Sequence, residues 1–241
     1  MDRLSPLDRP PGRPAGFQRW RNLAFLHWEV PVESVQALLP PSLTVDTWEG
    51  KAYVGVVPFT MKDVSPWWSP SVPGISNFHE LNVRTYVHKD GKEPGVWFFS
   101  LDAAATVAVV AARAGWHLPY FRASMELTIE DDLVTYTSHR LFAGDAPADL
   151  SLRYRIGESI GTAVPDTFEH FLAERYILYA KNGDRVDLGR VHHKPYPLHK
   201  AEVLSLSHTM LTANGLPQPD TAPLVLYSPG VDVDVYDLAP C

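Results

Sequence analysis

Short apolar runs, separated by proline, glycine and aspartate, follow one another along the chain from residue 17 onward. The runs at 25–30 and 52–59 have the length and the β-branched and aromatic content that are typical of strands. The same pattern predicts further strands at 43–45, 124–129, 133–141, 150–156, 203–206 and 224–227. The chain is therefore predicted to be rich in strands.

Two turn signals join neighbouring runs into predicted hairpins. Asp90 and Gly91 lie between two apolar segments, and so do Asn182 and Gly183. Asp-Gly and Asn-Gly suit type I′ turns, because both residues tolerate a positive φ. We therefore predict a hairpin at each of these positions.

Three segments depart from the strand pattern and predict helices. The first covers 31–39, which begins with a proline, and the second covers 103–114, which is almost entirely alanine and valine. Asp102 is placed to cap the second helix, and Asp166 to cap the third. About ten strands and three helices predict one β-dominated α+β domain, built on a curled antiparallel sheet or a closed barrel.

Proline concentrates at the start of the chain, where residues 1–16 contain four prolines and no extended apolar run. We expect this segment to be a flexible N-terminal tail. Because no later change of composition marks a linker, we expect residues 17–241 to form a single domain.

Composition narrows the classes of function. The net charge is -7 and no block of lysine and arginine stands out, so we expect neither a nucleic-acid nor a membrane partner. No apolar run approaches the ~20 residues of a membrane span, and the start lacks the apolar segment of a secretory signal. The one cysteine, Cys241, cannot form a disulfide within the chain. We expect a cytoplasmic protein.

The candidate chemistry begins with residues 80–87. Successive strand side chains point to opposite faces, so one face carries a polar row of Glu80, Asn82, Arg84 and Tyr86. Two interpretations are open: the row is the wet face of an outer sheet, or it turns inward and holds a small ligand. The lack of lysine and the presence of an arginine, which binds carboxylates through two hydrogen bonds, favour the inward interpretation.

A second group of candidates follows the alanine–valine segment. Arg113 either caps a helix C-terminus or holds an anion, His117 is either structural or an acid–base group, and Tyr120 can polarise an oxygen. The ten histidines have no metal-ligand spacing. We predict no metal and no cofactor, while a metal site assembled from distant histidines stays open. Sequence signatures of serine hydrolases, phosphate-binding loops and dinucleotide-binding folds are absent.

Several segments of the chain resemble a known family. They are Phe-Leu-His-Trp at 25–28, Val-Gly-Val-Val-Pro-Phe at 54–59, the strand at 80–87, Gly-Val-Trp-Phe-Phe-Ser-Leu-Asp at 95–102, Glu-Arg-Tyr at 174–176, His-His at 192–193 and Pro-Tyr-Pro-Leu at 195–198. From residue 17 to about residue 237 the chain resembles the YqjF-like family (domain of unknown function 2071), a group of uncharacterised bacterial proteins. This resemblance assigns no reaction.

The YqjF-like family is similar in fold to the acetoacetate decarboxylases, which implies a strand-rich barrel with an enclosed pocket. In those enzymes an arginine is followed six residues later by proline and then by the lysine that forms a Schiff base. Arg113 and Pro119 keep this spacing, but Tyr120 stands in the place of the lysine. The resemblance also implies that Glu80 lies on the strand that carries an active-site glutamate. Imine chemistry is therefore not expected.

Three functions remain open. The first is an enzyme acting on a small carbonyl or carboxylate compound without imine chemistry. The second is a non-catalytic protein that binds a small ligand, and the third is an assembly protein that forms a homo-oligomer. The candidate catalytic residues are Glu80, Arg84, Arg113 and Tyr120, and the candidate ligand-binding residues are Asn82, Tyr86, His117, His27 and Trp97.

Overall fold

The computed structural model describes residues 1–106, 115–141 and 147–241. Within them, a single sheet contains 13 strands. In chain order the strands are β1 (Gly16–Val30), β2 (Thr44–Val45), β3 (Ala52–Pro66), β4 (Phe78–Lys89), β5 (Lys92–Ala103), β6 (Tyr120–Glu130), β7 (Leu133–Arg140), β8 (Asp149–Gly161), β9 (Ile177–Asn182), β10 (Arg185–His193), β11 (Leu198–His208), β12 (Leu224–Val235) and β13 (Ala239–Pro240).

The sheet closes on itself. β4 pairs with β3 along one edge and with β5 along the other, and the sheet returns from β5 to β3 in the order β5-β6-β7-β8-β11-β12-β1-β3. β9 and β10 form a second connection from β5 to β12. Most pairs are antiparallel, whereas β5 pairs in parallel with β6 and with β9. The predicted curled sheet with a closed ring of hydrogen bonds is confirmed.

Parts of the strands β1, β3 and β4 are buried on both faces, namely residues 23–28, 52–61 and 80–87. Leu26, Val54 and Leu81 pack into the largest apolar cluster. Phe25 and Phe59, which point the other way, pack into a second cluster. Burial on both faces explains why β1 and β3 contain nearly continuous apolar runs instead of strict alternations.

Two short helices lie wholly within the described residues, α1 (Val32–Gln36) and α2 (Phe168–Ala173), and both were predicted. Thr167 caps α2 instead of Asp166, because the Thr167 hydroxyl accepts a hydrogen bond from the backbone N–H of His170. No helix among the described residues is long and apolar enough to cross a membrane.

The second predicted helix falls mostly at 107–114, outside the described residues. Its predicted cap is wrong, because Asp102 and Ala103 are the last two residues of β5. Asp102 is fully buried there and accepts a 2.6 Å hydrogen bond at Oδ1 from Nη2 of Arg140. This aspartate therefore has a buried ion partner within the sheet.

Both predicted hairpins form. Asp90 and Gly91 join β4 to β5 with φ angles of 51° and 75°, as a type I′ turn requires. The β9–β10 turn lies one residue later than predicted. Asn182 pairs with Arg185, so the turn consists of the two residues at 183–184, of which the glycine has a φ of 64°.

The N-terminal segment contacts three parts of the body. Arg3 forms an ion pair with the buried Asp46, and Arg9 forms one with Asp234. The guanidinium of Arg13 lies 3.2 Å from the centroid of the Trp67 ring. Residues 1–16 therefore lie against the barrel, and through Asp46 the segment reaches a buried charge.

Candidate active site

A cavity of about 350 Å³ lies between β1, β3, β4, β5, β9 and β10. This volume accommodates about a dozen water-sized groups and falls in the size range of small-ligand pockets. Most of the lining is apolar, with Phe59, Phe98 and Trp116 among its side chains. The polar side chains in the lining are Gln18, Glu80, Asn82, Arg84, Tyr120, Arg175 and Tyr196.

The polar row of β4 forms one wall of this cavity. Glu80, Asn82 and Arg84 all line it, and their exposed fractions are only 1%, 6% and 8%. The alternate residues Leu81 and Val83 point into the largest apolar cluster on the other face of the strand. The interpretation of the row as the wet face of an outer sheet is therefore wrong.

Glu80 and Tyr120 form a hydrogen-bonded pair at one end of the cavity. Tyr120 Oη donates to Glu80 Oε2 at 3.0 Å. The pairing of β5 with both β4 and β6 brings them together, since Glu80 lies opposite Ala103 and Tyr120 lies beside Leu101.

Burial dominates the protonation of this pair. It raises the pKa of Glu80 to about 8, with a smaller contribution in the same direction from Asp102, while the hydrogen bond from Tyr120 acts in the opposite direction. Burial also raises the pKa of Tyr120 well above its usual range. At neutral pH both groups are therefore predominantly protonated, and Glu80 is a carboxylic acid that exchanges its proton close to physiological pH.

Arg84 is a buried cation without a carboxylate partner among the described residues. Its Nη2 donates to the backbone oxygen of Leu172 at 3.2 Å, and its Nε is buried without a hydrogen-bond partner there. The guanidinium carbon lies 5.6 Å from the centroid of Phe25. Asn82, on the same wall, has a buried Oδ1 that also has no partner in the described part of the chain. Buried polar atoms without a hydrogen-bond partner are uncommon in folded proteins, and this wall has two of them.

Arg175 is a second guanidinium in the cavity lining, and its position there was not predicted from the sequence. It follows α2 directly, and its Nη1 lies 2.8 Å from Oδ2 of Asp46. The segment 174–176 carried part of the family resemblance. No local pattern there indicates an inward side chain, because the cavity wall is formed by strands that are distant in sequence.

Tyr86 and His27 are paired, but neither is part of the cavity lining. Tyr86 Oη donates to the backbone oxygen of Leu172 at 2.6 Å and lies 2.6 Å from Nε2 of His27. Burial lowers the pKa of His27 well below its usual value, and Arg84 adds to this effect. The imidazole is therefore neutral, and the pair supports the backbone that holds Arg84.

Two other candidates, Trp97 and His117, lie away from the cavity lining. Trp97 is on the opposite face of β5 from Val96 and Phe98, which line the cavity. His117 is exposed and has a φ of 52°. Arg113 lies outside the described residues. The described part of the chain has no group of three or more His, Cys, Asp or Glu residues arranged to hold a metal ion.

Residues 17–232 match the model of the family DUF2071, whose description is "Uncharacterized conserved protein". The chain belongs to this family. A relative, "Uncharacterized protein YqjF" of Bacillus subtilis (strain 168), is 38% identical over 216 residues, which cover 90% of this chain and 88% of the relative. The family that the sequence segments indicated is thus confirmed.

The fold is similar to that of solved acetoacetate decarboxylase-like enzymes. The acetoacetate decarboxylase of Legionella pneumophila subsp. pneumophila str. Philadelphia 1 has a TM-score of 0.62 at 16% identity, over 98% of this chain and 94% of that one. The enduracididine biosynthesis enzyme MppR, in complex with the condensation product of pyruvate and imidazole 4-carboxaldehyde, has a TM-score of 0.65 at 11% identity, over 97% and 90%. This DUF2071 member therefore has an acetoacetate decarboxylase-like fold.

Proposed function

We propose that this protein is an enzyme that transfers a proton on a small oxo acid without forming an imine. The observation that carries the proposal is the meeting of Glu80, Tyr120 and Arg84 in one mostly apolar cavity. Glu80 supplies an exchangeable proton, Tyr120 donates a hydrogen bond to Glu80, and Arg84 supplies a positive charge for an anion.

The charge of Arg84 favours an anionic ligand. An unpaired buried charge costs several kcal/mol, and a bound carboxylate compensates it through two parallel hydrogen bonds. The apolar remainder of the lining accepts the carbon skeleton of such a ligand. A small carboxylate with an apolar body therefore fits both the charge and the surface of the cavity.

Glu80 is suited to carry the proton, because catalysis by a general acid or base is most efficient when its pKa lies near the working pH. With a pKa of about 8, Glu80 occurs in both forms near neutrality. Its ionised form takes a proton from the carbon next to the carbonyl group, and the C–H electron pair forms the C=C bond of an enolate. The C=O electron pair moves onto the oxygen, and Glu80 becomes a carboxylic acid whose proton exchanges with solvent. Return of a proton from Glu80 to the carbon restores the C=O bond and leaves Glu80 ionised, as the acceptor of the Tyr120 hydrogen bond.

The positions of the lysines favour this route over imine formation. All seven lysines lie among the described residues; six are exposed and Lys89 is half-buried. A Schiff base requires a desolvated lysine of lowered pKa. Tyr120 stands where the resemblance expects that lysine, and it donates its hydrogen bond to Glu80.

The proposal is tested by hydrogen–deuterium exchange at the carbon next to the carbonyl group. The purified protein is incubated in D₂O with 2-oxo acids from pyruvate to phenylpyruvate, and NMR follows the loss of the C–H signal. We expect Glu80→Gln to slow the exchange by about 10²–10⁴-fold, the usual contribution of a general base. Glu158→Gln, the same change at an exposed glutamate, is the matched control and should keep the wild-type rate.

Two results would contradict the proposal. If the wild-type protein exchanges every compound of the panel no faster than buffer alone, the proposed catalytic function is rejected. If the same compounds nevertheless bind and are released unchanged, the cavity belongs to a carrier protein. Exchange that Glu80→Gln leaves intact rejects the assignment of the proton to Glu80.

A further inference from the structure

One buried carboxylate is shared between the cavity and the N-terminal segment. Asp46, only 2% exposed, contacts Arg175 at 2.8 Å through Oδ2 and Arg3 at 2.5 Å through Oδ1. Arg3 also donates to the backbone oxygen of Thr47 at 3.4 Å. The two guanidiniums and the carboxylate form a group with one net positive charge.

The guanidinium of Arg175 is held in place by two of its three nitrogens. Nε donates to the backbone oxygen of Phe171 at 2.9 Å, and Nη1 donates to Asp46. Nη2 is buried and has no hydrogen-bond partner among the described residues. The guanidinium also packs against the rings of Tyr86 and Phe171, with its central carbon 4.7 Å and 4.5 Å from their centroids. Arg175 is part of the cavity lining, so Nη2 is an unused donor on a fixed side chain beside the cavity.

Arg3 changes the net charge of the group that contains Arg175 and Asp46. If Arg175 were the only partner of Asp46, the carboxylate would neutralise the charge of Arg175, and the pair would attract an anion weakly. Arg3 adds a second positive charge to the same carboxylate, and its side chain is only 18% exposed. Solvent therefore screens this charge less than it screens a surface charge.

We propose that Arg175 is a second anion-binding group of the cavity and that Arg3 of the N-terminal segment sets its strength through Asp46. Arg3 is a positioning residue in this arrangement, because it acts on the ligand through Asp46 and Arg175. The proposal rests on the proposed function only in that the ligand carries a carboxylate.

The test measures binding of a charged ligand and its uncharged counterpart by calorimetric titration. The probes are pyruvate and phenylpyruvate, each paired with its amide, and the variants are Arg3→Gln, Arg3→Lys and Arg9→Gln. We expect Arg3→Gln to weaken binding of the carboxylates about five- to twentyfold, the scale of the loss of one poorly screened charge near the site. Binding of the amides should stay unchanged, and Arg3→Lys should keep most of the affinity.

Arg9→Gln is the matched control, because it removes another arginine of the same segment whose partner is Asp234. It should leave both kinds of ligand within twofold of wild type. An equal loss for the carboxylates and the amides in Arg3→Gln, or no loss at all, overturns the inference. Asp46→Asn should have the opposite effect on affinity. It removes the negative charge that partly neutralises the two guanidiniums, so carboxylate binding should become stronger.

The outcome separates this inference from the proposed function. If wild-type protein binds none of the carboxylates, both fail together. If wild-type protein binds them and Arg84→Met abolishes binding, while Arg3→Gln binds as tightly as wild type, only the role of Arg3 is rejected.

Discussion

The hydroxyl of Tyr120 donates to Oε2 of Glu80 at 3.0 Å inside a cavity that is otherwise mostly apolar. The two residues are 40 positions apart and meet because β5 lies between the strands that carry them. Tyr120 is the residue that the family resemblance aligns with the Schiff-base lysine of the decarboxylases. At this position the cavity therefore contains a phenol that is hydrogen-bonded to a buried carboxyl group.

The raised pKa of Glu80 predicts a pH-dependent stability. In the folded protein the pKa is about 8, whereas the ordinary value is 4.5. Between these values the unfolded chain releases a proton that the folded chain keeps, so the free energy of unfolding falls as pH rises. We expect the free energy of unfolding to fall by up to about 1.4 kcal/mol per pH unit in that window. Urea denaturation at a series of pH values measures this loss.

Glu80→Gln should lack this contribution, so that its stability relative to wild type increases from pH 5 to pH 8. Glu158→Gln, at an exposed position, should follow the wild-type curve. Parallel curves for wild type and Glu80→Gln over the whole range are incompatible with a protonated buried Glu80.

The hydrogen bond from Tyr120 lowers the pKa of Glu80, and Tyr120→Phe should therefore raise that pKa above its wild-type value. The expected shift is about one to two pH units, the net contribution of one hydrogen bond to a charged group. It is measured from the carboxyl carbon signal of Glu80 by NMR during a pH titration. Tyr154→Phe removes a different buried phenol and should leave the titration unchanged; a lower pKa in Tyr120→Phe contradicts the pairing.

Arg84 and Arg140 are both buried but differ in their partners, and they should respond differently to replacement by methionine. Arg140 has the buried Asp102 as its counter-ion, so Arg140→Met leaves a buried charge unpaired and should cost about 3–5 kcal/mol. Arg84→Met removes a cation that has no carboxylate partner in the described residues, and should be neutral within about 1 kcal/mol or stabilising.

Urea denaturation of the two variants without ligand checks this comparison. An equal and large loss of stability in both variants would mean that Arg84 serves the fold instead of a ligand. Arg84→Met should also lose carboxylate binding. A loss of binding without a loss of unfolding free energy would assign Arg84 to the ligand and not to the fold.

Gly95 permits the close parallel approach of β5 and β9. A Cβ at this position would lie 2.7 Å from the backbone oxygen of Ile177, and Ile177 also lines the cavity. Gly95→Ala should therefore push the two strands apart and cost about 1–3 kcal/mol. Thermal unfolding measures the effect, and a melting temperature equal to that of wild type would contradict this packing.

Local patterns were sufficient for most of the strands and for the orientation of one row. The alternation at 80–87 predicted that Glu80, Asn82 and Arg84 share a face, and they line one wall. The turn at Asp90 followed from two residues that tolerate a positive φ. Such features depend only on neighbours in sequence, because the pleat of a strand and the geometry of a turn are local.

Features that depend on distant partners were missed. Asp102 resembles a helix cap in the sequence, but Arg140, which is 38 positions away, makes it part of a buried ion pair. Arg175 has no local pattern that indicates a cavity, and its partner Asp46 is 129 positions away. Trp97 and His117 were selected as polar or aromatic candidates, and the path of the chain directs them away from the cavity.

By itself the sequence determined the strand-rich character of the chain and the family to which it belongs. Only the tertiary structure decided which polar groups meet. The ring of strands closes through pairings between residues far apart in sequence, and closure removes Glu80, Arg84 and Arg175 from water together. Desolvation then raises the pKa of Glu80, and Arg84 is buried without a carboxylate partner among the described residues. Neither effect exists until the chain has folded.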